Sequence, residues 1–139
     1  MNVSQRIWTK CLYCKYEWQY SPHQSFGKYC SNRCQRDYEW LLTKRKIIKT
    51  KKYPSDRIAK KFLLEKFGNK CKICKRTKWL GQPILLIMDH IDGNSRNRKP
   101  KNLRMICSNC DAQTDTYKGR NKGKGRHTRR ERYQEGKSY

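Results

Sequence analysis

Eight cysteines in four closely spaced pairs constrain this chain more than any other feature. Three pairs have two residues between the cysteines and one has three; the pairs are Cys11 and Cys14, Cys30 and Cys34, Cys71 and Cys74, and Cys107 and Cys110. A pair at this spacing turns two thiolates toward one point, and two pairs complete the tetrahedron that Zn²⁺ prefers. Joining neighbouring pairs predicts one zinc site from the first four cysteines and a second from the last four.

Zinc ligation is favoured over disulfides and over redox-active thiols. The first ten residues, "MNVSQRIWTK", contain no apolar segment of the signal-peptide type. A protein that stays in the reducing cytoplasm keeps its cysteines as thiols. Both sites are closed and therefore structural, and each would contribute on the order of 10 kcal/mol to folding. Spacing alone also permits an exchange of pairs between the sites, which the long intervening segment disfavours.

The charge balance indicates a polyanionic partner. The chain has 35 Lys and Arg residues against 11 Asp and Glu residues, a formal net charge of +24. Such an excess opposes a compact fold unless a polyanion neutralises it. A membrane surface is the rival partner, but no apolar stretch approaches the roughly 20 residues that a spanning helix needs. We therefore expect a cytoplasmic protein that binds nucleic acid and does not bind a membrane.

Composition shifts divide the chain into four predicted segments. These are an N-terminal zinc module (1–40), a basic helical linker (41–55), a second zinc-containing domain (56–121) and a basic, glycine-rich flexible tail (122–139). With 35% hydrophobic residues, each domain needs its metal to supplement a small core. In the first module we expect the aromatic residues to form a miniature core over the metal turns; they are Trp8, Tyr13, Tyr16, Trp18 and Tyr20.

Local signals outline the second domain. Ser55 is a plausible N-cap and Gly68 a natural stop, which predicts a helix between them. The apolar run 83–91 predicts a strand, and 103–107 predicts a second one. A short helix is then expected to close at Gly119.

An acid and a histidine, Asp89 and His90, stand side by side at the end of the first predicted strand. Hydrolysis of a phosphodiester needs a base that deprotonates water and a hard cation that neutralises charge. Neighbours in a regular strand point to opposite faces, so the strand end must be distorted if both serve one site. On the dipeptide alone, a cap and a surface residue would be the simpler interpretation. Asn102, at the end of the following loop, and Asp111, directly after Cys110, add polar groups to the same region.

The segment "CKICKRTKWLGQPILLIMDHIDGNSRNRKPKNLRMICSNCDAQTDTYKGRN" resembles the zinc-bound HNH endonucleases of phages and prophages. The first module, with "YCSNRC", resembles a treble-clef zinc finger. The resemblance implies a small, zinc-stabilised α+β protein with a ββα-metal nuclease core. It implies that His90 is the general base, that Asp89 binds a catalytic Mg²⁺ or Mn²⁺, and that Asn102 holds the base in position. The third motif position falls on Asp111, where the family has His; aspartate is a hard ligand that suits Mg²⁺.

The function implied by the resemblance is a metal-dependent endonuclease that cuts double-stranded DNA, encoded by a phage and active in the host cytoplasm. Basic residues near the site are expected to bind DNA phosphates, namely Arg96, Arg98, Lys99, Lys101, Arg104, Lys118 and Arg120. A non-catalytic zinc protein that binds nucleic acid, or an inactive HNH homologue, is the alternative. Composition and the cysteines fit either function. The four residues Asp89, His90, Asn102 and Asp111 distinguish them.

Overall fold

The structure, a computed structural model, describes residues 6–23, 26–121, 131 and 134–136. The chain divides between Thr50 and Lys51 into two compact units. Helices and three short antiparallel hairpins make up the described part, which confirms the small α+β class. Most of the predicted tail, 122–139, lies outside the described residues. The four-segment division of the chain remains a prediction.

The first unit consists of one hairpin and one long helix. Strand β1 (Ile7–Lys10) pairs antiparallel with β2 (Glu17–Tyr20), with Ile7 opposite Tyr20 and Lys10 opposite Glu17. Helix α1 (Asn32–Thr50) follows and carries Cys34 in its first turn. The basic run assigned to a helical linker therefore lies within and just after the end of α1.

The miniature aromatic core expected in this unit is only partly formed. Trp18 and Tyr20 are half-buried, with ring centroids 5.8 Å apart. Trp8 and Tyr16 are each 67% exposed, and Tyr13 is also exposed. Trp8 lies opposite Gln19, whereas Trp18 lies opposite Thr9. Because side chains alternate along a strand, Trp8 lies on one face of the hairpin, and Trp18 and Tyr20 lie on the other.

In the second unit, the helix expected after Ser55 is confirmed as α2 (Asp56–Phe67). The hydroxyl of Ser55 accepts a hydrogen bond from the backbone N–H of Ile58 at 3.4 Å. At the other end, Gly68 has φ +69° and donates its N–H to the carbonyl of Leu64 at 2.9 Å. A positive φ favours glycine, because glycine has no Cβ that would clash in this conformation. Both helix ends thus follow from residues that the sequence displays.

Four strands follow, as two antiparallel hairpins: β3 (Lys78–Trp79) with β4 (Gln82–Pro83), and β5 (Leu86–His90) with β6 (Leu103–Cys107). The predicted strand 103–107 is confirmed. The predicted strand 83–91 is interrupted at Ile84 and Leu85, because the N–H of Ile84 bonds to the carbonyl of Thr77 and extends the first hairpin. The side chain of Ile84 is buried beside Cys71, Ile106 and Cys107.

The prediction of a helix that ends at Gly119 is wrong. Helix α3 ends after one turn (Ser108–Asp111), and a separate 3-10 turn covers Lys118–Asn121. The hydroxyl of Thr114 donates to the carbonyl of Asp111 at 2.8 Å, and such local bonds compete with a continuing helix. Over the described residues, no helix combines the length and hydropathy that a membrane span requires.

Candidate active site and metal centres

The eight cysteines converge in the two groups of four that neighbouring pairs predict, and all eight are free thiols. Within each group the sulfur atoms lie within 4.8 Å of one another. The Sγ–Sγ distance is 3.6 Å for Cys14–Cys30, 3.5 Å for Cys30–Cys34 and 3.8 Å for Cys74–Cys107. A tetrahedral zinc site with Zn–S near 2.3 Å requires sulfur atoms about 3.8 Å apart. Each group therefore fits one zinc ion, and no exchange of pairs occurs.

The first cysteine pair of each group lies in the same kind of turn. The N–H of Lys15 donates to the carbonyl of Cys11, and that of Lys75 to the carbonyl of Cys71, both at 3.0 Å. Both lysines have φ +63°, and each Nζ donates to the carbonyl of the residue after the first cysteine, at 3.0 Å and 2.6 Å. The repeated sequence Cys-x-x-Cys-Lys was a signal for this duplication that the sequence analysis missed.

Proton affinities within each group are uneven. Burial raises the pKa of Cys11 and of Cys71, but hydrogen bonds from nearby backbone amides and thiols outweigh it and lower each pKa to about 6. The bond with the Cys34 thiol, followed by burial, raises the pKa of Cys30 to about 12. Burial, followed by thiol hydrogen bonds, does the same for Cys110. Metal binding would therefore displace protons from the less acidic thiols.

Asp89 lies in β5 directly opposite Arg104 of β6. Its carboxylate is 7% exposed and accepts a hydrogen bond from Arg104 Nε at 2.6 Å. A buried carboxylate needs a cationic partner, and the cross-strand pair supplies one. The Asp89 carboxylate is thus paired with the Arg104 guanidinium in this structure.

His90, the next residue, belongs to the opposite face of the hairpin. The strand ladder is regular as far as the His90–Leu103 pair, so the distortion expected at the strand end is absent. The imidazole is half-buried, and its Nε2 is buried without a hydrogen-bond partner. Buried polar atoms normally have a partner, so this nitrogen is an exception among the described residues of the hairpin.

The loop between β5 and β6 is organised by Asp92 and Asn102. The backbone N–H of Asp92 donates to Asn102 Oδ1 at 3.0 Å, and Asn102 Nδ2 donates to Asp92 Oδ1 at 2.8 Å. The same Nδ2 reaches the carbonyl of Asn97 at 2.9 Å, while Asn97 Nδ2 donates to Asp92 Oδ2 at 2.6 Å. Next to the strand, the N–H of Ile91 donates to the carbonyl of Asn102 at 2.9 Å. Asn102 therefore ties the start of the loop to its end.

Asp92 was missed by the sequence analysis. Burial raises its pKa, but hydrogen bonds from Asn97, from the backbone of Asn94 and from Asn102 outweigh it and, with the nearby charge of His90, hold the pKa below its ordinary value. The pattern Asp-Gly-Asn in a loop is typical of a turn in which the Asp side chain binds the backbone two residues on. That pattern was the available signal, and the bond from the N–H of Asn94 to Asp92 Oδ1 at 2.8 Å fulfils it.

Gly93 and Asn121 close the loop from the other side. Gly93 has φ +70° and is buried, and a Cβ at this position would collide with the Asn121 amide. Asn121 Nδ2 donates to the carbonyl of Gly93 at 3.1 Å, whereas Asn121 Oδ1 is buried without a partner. The segment after α3 thus contacts the loop that follows His90.

Asp111 lies at the end of α3, half-buried, directly after the cysteine ligand Cys110. The carboxylate of Asp111 does not form a tight cluster with the carboxylate of Asp89 and the imidazole of His90. Across the described residues, the only groups of three or more such donors within 4.8 Å are the two sets of cysteines. Asp89 and His90 therefore lie on β5, Asn102 at the end of the following loop and Asp111 in α3, and the donor atoms of Asp89, His90 and Asp111 are not gathered around one point.

The basic residues expected to bind DNA fall into three classes. Three arginines are paired with acids: Arg96 with Glu131, Arg98 with Asp56 and Arg104 with Asp89. Two residues within the 3-10 turn, Lys118 and Arg120, lie over the ring of Tyr117. The last two, Lys99 and Lys101, are exposed and have no acidic partner within the described part of the chain.

Comparison with curated proteins gives one informative relationship. A segment of 56 residues, 40% of this chain, is 44% identical to the H-N-H endonuclease F-TflIV of Escherichia phage T5. The segment covers 25% of that protein's length. No protein-family model and no solved structure matches the chain. The similarity supports a relationship to the HNH endonucleases over part of the chain.

Proposed function

We propose that this protein is a metal-dependent endonuclease that hydrolyses phosphodiester bonds in double-stranded DNA. The similarity to the phage T5 endonuclease over 56 residues carries the proposal. The β5–β6 hairpin supports it, since Asp89, His90 and Asn102 lie on this hairpin and its loop. The net charge of +24 supports a nucleic-acid substrate.

In this proposal His90 removes the proton from the attacking water. Its Nε2 is closed off from solvent, so we assign the proton-accepting role to Nδ1. A neutral imidazole has one acceptor nitrogen and one donor nitrogen, and the proton then sits on Nε2. Proton transfer by a positioned histidine contributes typically about 10²- to 10⁴-fold to a rate.

Asp89 and Asp111 would hold the catalytic Mg²⁺ or Mn²⁺. Carboxylate oxygens are the hard ligands that both ions prefer. Asp89 also fits a cation by environment, because its buried charge already pairs with Arg104 at 2.6 Å. When bound, the ion neutralises charge on the scissile phosphate and the leaving oxygen. An ion bound at Asp89 would compete with Arg104 for this carboxylate.

Asn102 is a positioning residue in this scheme. Its amide fixes Asp92 and the carbonyl of Asn97, and its carbonyl accepts the N–H of Ile91. These bonds hold the chain immediately after His90. Lys99 and Lys101, exposed at the end of the same loop, provide charge for phosphates close to the scissile one.

A second function has a specific observation in its favour. Asp111 replaces the histidine of the family motif, and the donors of Asp89, His90 and Asp111 are not clustered in the described structure. A zinc protein that binds DNA without cutting it, or an inactive homologue, would be compatible with both facts.

Cleavage with defined metals separates the two functions. Zinc-loaded protein is incubated with supercoiled and linear duplex DNA, with Mg²⁺, Mn²⁺ or neither, and binding to the same DNA is measured in parallel. The proposal predicts cleavage that requires the added ion. Binding of normal strength with no cleavage under either ion would favour the non-catalytic function.

A further inference from the structure

The turn of the β3–β4 hairpin contains a leucine, Leu80, whose backbone conformation disfavours leucine and whose side chain is not buried. Leu80 and Gly81 connect the strands with φ +49° and +77°, the pair of positive φ values found in a type I′ turn. Glycine and asparagine suit such positions, whereas a branched apolar side chain is disfavoured. Leu80 is also 88% exposed. Strain combined with exposure points to a function for this side chain rather than to a role in folding.

The tip belongs to a larger apolar surface on a firmly held support. Leu85 is 83% exposed, Trp79 is half-exposed, and both join Leu80 around a shallow cavity of about 450 Å³. The guanidinium of Arg76 stacks on the Trp79 ring, 5.3 Å from its centroid. The carbonyl of Arg76 accepts the N–H of Cys71 at 2.9 Å, which ties the hairpin to the second cysteine group. A contiguous exposed apolar patch of this kind marks a binding surface.

The charges beside this tip favour nucleic acid as the partner. Arg76 contacts the Trp79 ring and Lys78 directly precedes that residue, while the described residues that line the cavity include no acid. A second copy of the chain would bring a further +24 charges against this surface, and like charges at an interface oppose association. Duplex DNA offers phosphates for the basic residues and an apolar base stack for Leu80.

We propose that Leu80 is a wedge that inserts between base pairs of duplex DNA. The proposal rests on the proposed function, because the same duplex is the substrate. Apolar side chains that enter a base step partly unstack it and kink the duplex. The positive-φ turn holds the leucine at the outermost point of the hairpin, and Arg76 and Lys78 would contact the flanking phosphates. The phosphodiester held at the β5–β6 hairpin would then lie in bent rather than straight DNA.

Unstacking can be measured without cleavage. The full chain carrying His90→Ala is zinc-loaded and titrated with duplexes that hold a fluorescent adenine analogue at successive positions. Leu80→Asn is added in the same background, because asparagine accepts a positive φ and leaves the turn intact. Leu42→Asn, which removes another exposed leucine from α1, is the matched control. Zinc content and thermal melting verify that all three proteins are folded.

The wedge predicts increased fluorescence at one or more steps for the parent and for Leu42→Asn, and no increase for Leu80→Asn. The loss of one buried leucine should weaken binding by about tenfold. Equal fluorescence and equal affinity for Leu80→Asn would overturn the proposal. So would a dimer in sedimentation, without DNA, that only Leu80→Asn dissociates, because the patch would then serve a second copy. Unstacking by the His90→Ala parent, together with no cleavage by the wild type, would contradict the nuclease function and leave the wedge standing.

Discussion

Asn102 and Asp92 exchange two hydrogen bonds across the β5–β6 loop: the backbone N–H of Asp92 donates to Asn102 Oδ1 at 3.0 Å, and Asn102 Nδ2 donates to Asp92 Oδ1 at 2.8 Å. The two residues are ten positions apart, and Asn102 is buried while Asp92 is exposed. The pair fixes the chain that follows His90. It is the part of the candidate site that is most fully assembled in this structure.

Asn102→Ala should loosen this loop. The change removes the amide bonds to Asp92 and to the Asn97 carbonyl, and it should lower the free energy of unfolding by about 2–3 kcal/mol. The backbone N–H of Asp92 loses its acceptor, so its hydrogen exchange should become much faster. NMR exchange on zinc-loaded protein measures both effects. Unchanged protection of that N–H would show that Asn102 does not hold the loop.

The stabilising effect of Asp92 should disappear in acid. Its pKa in the folded protein is lowered, so its contribution is present above the unfolded pKa of about 3.9 and is lost as the pH falls through the folded value. The wild type should therefore melt at a higher temperature than Asp92→Asn at about pH 6, and this difference should shrink below about pH 4. Acid-induced zinc loss would also shrink the difference, so zinc content is measured at each pH and only zinc-loaded samples are compared. A difference that grows in acid would contradict the assignment.

Removing Arg104 should leave a buried charge without a partner. Arg104→Gln is expected to lower the free energy of unfolding by about 2–4 kcal/mol, since Asp89 is 7% exposed and Arg104 is a quarter exposed. The double variant Arg104→Gln/Asp89→Asn should recover most of the lost free energy of unfolding. Denaturant titrations of the wild type, Arg104→Gln and the double variant measure this recovery.

The same variant tests competition at Asp89. If the guanidinium occupies the position that a divalent ion would take, Arg104→Gln should bind Mn²⁺ more tightly than the wild type. Electron paramagnetic resonance on zinc-loaded protein reports free Mn²⁺ directly. Weaker binding in the variant would mean that Arg104 helps to hold the ion or orders its ligands.

Each cysteine group should bind one zinc ion, two per chain. Cys11→Ser and Cys71→Ser each remove one thiolate from a different group, so each variant should lose one equivalent of zinc. Elemental analysis after extensive dialysis measures the metal content. Two equivalents in both variants, or none in the wild type, would contradict closed four-thiolate sites.

Features that depend on near neighbours in the chain could be predicted from the sequence. Cysteine pairs two or three residues apart sit in local turns, and the bonds of Ser55 and Gly68 at the ends of α2 are equally local. The two groups of four also required the correct long-range pairing. Within each group the two pairs are joined by a shorter segment (15–29 or 75–106) than the one that separates the groups (35–70). A preference for the shorter connection was enough to predict the pairing.

Features set by strand register and by competition between side chains could not be predicted. The Asp89–Arg104 pair depends on which residues of β5 and β6 face each other, and a shift of one residue would have separated them. The exposure of Trp8 depends on the face of β1 that contacts the rest of its unit. The early end of α3 depends on the hydroxyl of Thr114 bonding to the backbone.

The role of His90 in DNA cleavage can be measured by nicking of supercoiled plasmid by wild type and by His90→Ala, each zinc-loaded and supplied with Mg²⁺ or Mn²⁺. We expect metal-dependent nicking by the wild type and a rate lower by about 10²- to 10⁴-fold in the variant, with DNA binding retained. Equal nicking by the two proteins, or none by the wild type with either ion, would contradict this expectation.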